Sequence, residues 1–244
     1  MKIIGLIPVR LESSRLPNKA LADICGLPMI LHTLKRTQMA KLLDDVLVAT
    51  DSEKIFNLIV KNGFKAIMTS EKHQTGTDRI AEASKNLDAD IIVNIQGDEA
   101  LVDPKHIDAG IKGLIESDAN VSILLTKFHK KKSDSDIKAV VNVKNEIMYL
   151  SRNDIPSDAR TKVESLYKGY HIVSFRKPFL LQYSEMDQTP LEKIEYNEYL
   201  RILENGYKIQ GVMVDSDAIS VDTKDDLEYV RSLMKDDTLF LKYK

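Results

Sequence analysis

Short apolar runs alternate with amphipathic stretches through the first half of the chain. Ile3-Ile4-Gly5-Leu6-Ile7 predicts a buried strand ended by Pro8, followed by a polar loop from Arg10 to Lys19 and a helix beginning near Pro28. Val46 to Thr50 predicts the second strand. Asp51 or Ser52 can then cap a helix whose Ile55/Phe56 and Ile59/Val60 fall four apart, with Gly63 as its stop. A third strand is expected over Lys65 to Thr69, then a loop around Gly76 and a helix from about Asp78. Ile91 to Ile95 is continuous and β-branched, as in a strand covered on both faces. Ile107, Ile111, Leu114 and Ile115 mark one face of the next helix.

Such strand–helix alternation specifies right-handed crossovers and a mainly parallel, doubly wound α/β sheet, which binds ligands at the carboxyl ends of its strands. The polar loops after Ile7, Thr69 and Ile95 occupy such ends. Past Thr126 the rhythm changes. Lys130 to Asp136 is a mixed-charge link that reads as solvated. Strands are expected at Ala139–Val143, Ile147–Leu150, Gly169–Phe175, Val212–Val214 and Ile219–Val221, and helices at Pro178–Tyr183 and Leu191–Glu204. Thr223 opens the last helix, with Asp226 completing a capping-box pattern and Leu227, Val230 and Met234 as its apolar face. The reading is one α/β domain over residues 1–244, with a β-rich insertion at 127–188.

The 244 residues suffice for a sizeable core, and a balance of 35 Lys+Arg against 37 Asp+Glu argues against a general nucleic-acid or acidic-membrane binder. No apolar run is long enough to cross a bilayer. Cys25 is the single cysteine, which excludes an intramolecular disulfide and suits a reduced, cytoplasmic protein.

Two segments carry candidate chemistry. The loop Pro8 to Lys19 places Arg10, Arg15 and Lys19 with Ser13 and Ser14 directly after a strand, an arrangement suited to a polyphosphate. On charge alone a solvated loop is the plainer reading, and neither a Walker P-loop nor a dinucleotide-binding glycine fingerprint occurs. Asn94-Ile95-Gln96-Gly97-Asp98-Glu99 puts a carboxylate pair in a tight turn after a buried strand, where Asp98 can hold a divalent metal or simply make a Gly-Asp turn. Asp222 stands similarly between a strand and a helix start. The five histidines show no metal-ligand spacing, and His32 and His106 fall on helices, where packing or surface roles are the plainer reading.

Five strings then point one way. Pro8-Val9-Arg10 through Ser14-Arg15-Leu16-Pro17-Asn18-Lys19 resembles the P-A-R-x-x-S-x-R-L-P-G-K loop of sugar cytidylyltransferases. In order follow His73-Gln74-Thr75-Gly76-Thr77-Asp78-Arg79, Asn94 to Glu99, Tyr149-Leu150-Ser151-Arg152 with Ile155-Pro156, and Val221-Asp222-Thr223 with Asp226-Leu227. Together they resemble the 3-deoxy-manno-octulosonate (Kdo) cytidylyltransferase family from residue 8 to residue 227.

That resemblance implies a nucleotide-diphospho-sugar transferase fold and an enzyme that joins CTP to a 3-deoxy-2-ulosonic acid, giving CMP-sugar and pyrophosphate for lipopolysaccharide or capsule synthesis. By similarity Pro8, Val9, Arg10, Arg15, Lys19, Thr77 and Arg79 contact the nucleotide. Asp98 and Asp222 bind Mg²⁺, with Lys19 as a further catalytic group. Gln96, His171, Glu192 and Glu195 face the sugar, and a homodimer forms through the inserted segment. Asn18 replaces the family's usual glycine, a position where Asn best tolerates positive φ. Tyr199 and Gly169-Tyr170 depart from the pattern on the presumed sugar side, which leaves 8-amino-Kdo or a nonulosonic acid as alternative substrates. A non-catalytic nucleotide-binding paralogue and a glycosyltransferase are the readings from other classes.

Overall fold

The computed structural model describes residues 1–11, 16–130, 132–216 and 219–244. In chain order its first elements are β1 (Ile3–Val9), β2 (Asp23–Ile24), β3 (Leu27–Pro28), α1 (Met29–Thr37), β4 (Asp45–Thr50), α2 (Glu53–Lys61), β5 (Lys65–Met68), α3 (Gly76–Ser84), β6 (Ile91–Ile95) and α4 (Pro104–Ile115). Then come β7 (Val121–Phe128), β8 (Lys138–Val141), β9 (Ile147–Ser151), β10 (Leu166–Arg176), α5 (Lys177–Ser184), α6 (Pro190–Glu195), α7 (Leu200–Glu204), β11 (Ile209–Met213) and α8 (Lys224–Lys235). They group into two compact units, Met1–Asp108 with Ala218–Lys244, and Ala109–Asp217.

In the first unit β6, β1, β4 and β5 lie side by side, and every ladder among them is parallel. Each residue of β1 is buried, because helices must cover both faces of a parallel sheet. β1 continues through Pro8 to Val9, two residues beyond the expected end. Its ladder to β6 stops at Leu6 opposite Asn94, whereas that to β4 runs on to Val9 opposite Thr50. Past Leu6 no described strand pairs with that side of β1, so a proline, whose nitrogen carries no hydrogen, is tolerated there.

Ser52, not Asp51, caps α2, its side chain accepting from the Ile55 amide, and Gly63 follows the helix at φ 81°. Helix α3 begins at Gly76 rather than near Asp78, because Thr75 is its N-cap and accepts from the Asp78 amide. The expected strand Ile219–Val221 is absent as a strand among the described residues. Instead the Val221 amide donates to the Asp98 carbonyl (3.1 Å), and Thr223 and Asp226 form the expected capping box of α8.

The second unit is mixed. β10 runs antiparallel to β7 and β8, β8 antiparallel to β9, and β11 parallel to β7. β7 goes beyond the pattern reading. Ser122 and Thr126 interrupt its apolar run, but both are buried and donate to the carbonyls of Gly110 and Ser216. The single helix expected over Leu191–Glu204 divides into α6 and α7. Tyr196 adopts the left-handed conformation at φ 49° and ends α6. Ile115, expected on the apolar face of α4, is 41% exposed.

From Ser133 to Asp136 the expected solvated link is instead a hydrogen-bonded knot. Lys138, with a fully buried side chain, donates Nζ to the carbonyls of Ser133 (2.5 Å), Asp136 (2.8 Å) and Arg152. Ser133 in turn donates to the Asp136 carboxylate at 2.5 Å. Lys131 lies outside the described residues.

Candidate active site

A cleft of about 280 Å³ opens in the first unit at the carboxyl ends of its strands. β1 delivers Pro8, Val9 and Arg10 to it, the turn after β6 delivers Gln96, Gly97 and Asp98, and the segment before α8 delivers Asp222. The approach of β1 to the turn is close. A Cβ on Gly97 would stand 2.7 Å from Val9 Cγ2 and 3.2 Å from the Pro8 carbonyl oxygen, so only glycine fits there. Thr33 of α1 donates to the Gly97 carbonyl at 3.1 Å and holds the turn from below.

Lys19 enters from a single 3₁₀ turn, Lys19–Leu21, preceded by Asn18 at φ 54°, ψ 30°. The left-handed residue that the family pattern fills with glycine is thus filled here by asparagine without loss of the turn. Lys19 Nζ bonds to Asp98 Oδ2 at 2.6 Å and to Asp222 Oδ1 at 3.1 Å. One ammonium therefore brings together two carboxylates that are 124 positions apart in the chain. Burial pulls the Lys19 pKa down, but the charges and hydrogen bonds of Asp98 and Asp222 outweigh it, and the net shift is upward.

The donor set suits a hard divalent cation. Two carboxylates meet at one positive charge, and oxygen is the ligand such ions prefer. Among the described residues no three Asp, Glu, His or Cys side chains cluster to enclose an ion by themselves. A divalent ion held by Asp98 and Asp222 alone would therefore need further oxygen ligands from outside the chain, such as phosphate or water.

The opposite wall is the loop before α3. His73, Gln74, Thr75 and Gly76 line the cleft with Arg79. Arg79 is 4% exposed and directs its guanidinium inward, to Thr69 Oγ1 (2.6 Å) and Asp51 Oδ2 (2.5 Å), where it ties the ends of β4 and β5 together. Thr77 is fully buried in the first turn of α3 and does not line the cleft. His73 Nε2 meets the Glu82 carboxylate, which also accepts from the Ser70 amide at 3.0 Å. Residues 73–76 belong to the second of the five sequence strings, and the Thr75/Asp78 capping pattern within it marks the start of α3.

Of the expected site residues, the cleft thus gathers Pro8, Val9, Arg10, Lys19, Arg79, Gln96, Asp98 and Asp222. Arg15, with Ser13 and Ser14, lies outside the described residues. His171, Glu192 and Glu195 belong to the second unit. His171 is exposed where the ladder between β10 and β7 skips from Tyr170 to Val173. Glu195 accepts from Ser151 Oγ (2.7 Å) and the Arg152 amide (2.8 Å). Glu192 has another use than the one expected. It is 4% exposed, its two oxygens bond the Arg201 guanidinium at 2.6 and 2.9 Å, and it closes the capping box of α6. A carboxylate committed to a buried fork has no free face for a sugar. Tyr170 and Tyr199, the departures from the family pattern, are 2% and 8% exposed and serve the core.

The comparisons with known proteins bear on the family and the fold. The cytidylyltransferase family model matches residues 4–209. The 3-deoxy-manno-octulosonate cytidylyltransferase of Geotalea uraniireducens is 43% identical, over 96% of this chain and all of the relative. The mitochondrial 3-deoxy-manno-octulosonate cytidylyltransferase of Arabidopsis thaliana is 40% identical, over 96% of this chain and 84% of its own. A solved structure of CMP:2-keto-3-deoxy-manno-octonic acid synthetase complexed with CTP superimposes with a TM-score of 0.93 at 34% identity, covering 96% of this chain and 99% of that one. Identity of this order along nearly the full length, joined to a shared fold, establishes that the chain belongs to the 3-deoxy-manno-octulosonate cytidylyltransferase family.

Proposed function

We propose that this enzyme activates Kdo with CTP, releasing pyrophosphate and forming CMP-Kdo. The observation that carries the reading is the Lys19 ammonium bridging Asp98 and Asp222 in a cleft at the strand ends. Family membership supports the same chemistry. In the reaction the sugar's anomeric oxygen forms a bond to the α-phosphorus in line, the bond from that phosphorus to the β-phosphate bridging oxygen breaks, and the hydroxyl proton passes to solvent. Positioning and charge neutralisation then supply most of the rate.

In this reading Arg10 and Lys19 bind the triphosphate, and the main chain of Pro8 and Val9 shapes the floor beneath it. Arg15 is assigned the same role from the family motif. Lys19 is the pivot: its ammonium offsets one of the two carboxylate charges in the free enzyme and is placed to meet phosphate oxygens when CTP arrives. Asp98 and Asp222 would hold Mg²⁺, which supplies charge neutralisation and Lewis acidity at the phosphates when bound. Gln96 lines the cleft and offers an amide for a sugar hydroxyl, and His171 and Glu195 are retained as sugar contacts. Arg79 acts by bracing the strand ends.

A homodimer through residues 127–188 and a cytoplasmic setting complete the proposal. The fully exposed Val143 and the 64% exposed Met148 support the former. Among the described residues no helix is long and apolar enough to cross a membrane.

The test is pyrophosphate release with CTP and Mg²⁺ against Kdo, 8-amino-Kdo and neuraminate. Release with Kdo at the highest kcat/KM is expected. Release with neither Kdo nor its amino analogue overturns the assignment, and a clear preference for 8-amino-Kdo transfers it to that sugar.

A further inference from the structure

The turn that carries Asp98 also carries a carboxylate with no part in the chemistry above. Glu99 is 2% exposed. Burying a carboxylate is costly unless its oxygens are bonded, so its position calls for a reason. Its Oε1 accepts the hydroxyl of Ser220, two residues before Asp222. One residue further on, the Val221 amide donates to the Asp98 carbonyl at 3.1 Å. Residues 219–223 belong to no strand, so no ladder fixes them beside the turn. Beyond them α8 is set by its own capping box, in which Asp226 Oδ2 also accepts the Asp222 amide at 3.1 Å.

We infer that Glu99 is a positioning residue that clamps the Asp222 segment onto the Asp98 turn through Ser220, so that two carboxylates from distant parts of the chain share one site. The inference rests on the reading of Asp98 and Asp222 as the working pair. The physical argument is one of alignment. Asp98 and Asp222 are both partly exposed anions, which repel each other in any state where neither Lys19 nor a bound cation lies between them. Something other than Lys19 must then hold the two segments in register. The Glu99–Ser220 and Val221–Asp98 bonds do so beside the buried Glu99 and Val221, where solvent competes less.

Amide hydrogen exchange and calorimetric titration with MgCTP test the clamp. Ser220→Ala removes one hydroxyl and keeps the buried carboxylate. It is expected to speed exchange of the Val221 amide roughly tenfold and to weaken MgCTP binding by a similar factor, the worth of one charge-assisted hydrogen bond. The amides of β1 and β6 should stay as protected as in the unaltered enzyme. Glu99→Gln keeps an oxygen to accept from Ser220 and should recover most of both readouts, whereas Glu99→Ala should not. Wild-type exchange at Val221 in both Ser220→Ala and Glu99→Ala overturns the inference, and so does uniform loss of protection across β1, β6 and α8 in Ser220→Ala. If the unaltered enzyme releases no pyrophosphate with any sugar, the functional reading falls, while the exchange data still decide whether the clamp exists.

Discussion

Two lysines, one in each unit, are largely removed from water, and their cages differ. Lys19 is held by the two carboxylates of Asp98 and Asp222, and its pKa is raised above the ordinary 10.5 despite a desolvation that acts the other way. Lys138 is held by three backbone carbonyls, those of Ser133, Asp136 and Arg152. Its pKa is lowered, because desolvation exceeds the help of the more distant Asp154, Asp136 and Asp134 charges. A carboxylate cage can trade its ammonium for another cation or share it with a phosphate. The carbonyl cage carries no formal charge and closes on a lysine of its own segment, so it has less to attract a second cation. The first arrangement is suited to a site that turns over ligands, and the second to a knot that must never open.

The comparison breaks hardest at Asp98. Asp98→Asn is expected to lower turnover about a thousandfold or more, since an oriented charge at the phosphates is lost, with folding little changed. Pyrophosphate release read beside a urea melt checks it, and near-normal release removes Asp98 from the site. Next in size is Lys138→Met. It leaves three carbonyls, one buried and two partly buried, without their donor and should cost about 2 kcal/mol of unfolding free energy in urea, with kcat per folded molecule unchanged within a few-fold. Lys19→Met should show the converse, a large loss of turnover with stability altered by about 1 kcal/mol or less, because Asp98 and Asp222 are partly solvated.

The smallest effect is a difference of sign with pH. The folded state holds the Lys19 proton more tightly than the unfolded chain. The stability Lys19 contributes is therefore complete below 10.5 and lost as pH rises above it. For Lys138 the unfolded chain binds the proton more tightly, so wild-type stability rises with pH over the window just below 10.5. Urea melts along a pH series should show the gap between wild type and Lys138→Met widening in that window. The gap to Lys19→Met should narrow above it. Gaps that run parallel with pH would mean that the two cages do not differ in the way described.

Much of the first unit was legible in the chain because its strands are buried on both faces and announce themselves as unbroken apolar runs. Ile3–Ile7, Val46–Thr50 and Ile91–Ile95 appear within two residues of their expected bounds. Most errors there lie at ends, where a cap or the last rung of a ladder decides, as at Thr75 and Pro8; the exceptions are the short β2–β3 pair, which no apolar run announces, and Ile219–Val221, which forms no strand. The second unit was less legible. β7 carries buried polar residues whose partners are distant carbonyls, and the division of α6 from α7 turns on a left-handed Tyr196 that no periodicity encodes.

The candidate site divides the same way. Residue type and order along the chain singled out Arg10, Lys19, Asp98 and Asp222, because cations and carboxylates after strands are local facts. That Asp98 and Asp222 share one ammonium, that Glu192 is consumed by Arg201, and that Glu99 reaches Ser220 are facts of tertiary packing. The sequence by itself determined the parallel α/β framework and the chemical types gathered at its strand ends, since hydrophobic period and charge are written residue by residue. Only the folded chain decided which charges face a ligand and which face one another, because burial cost and hydrogen-bond geometry depend on neighbours far away along the chain.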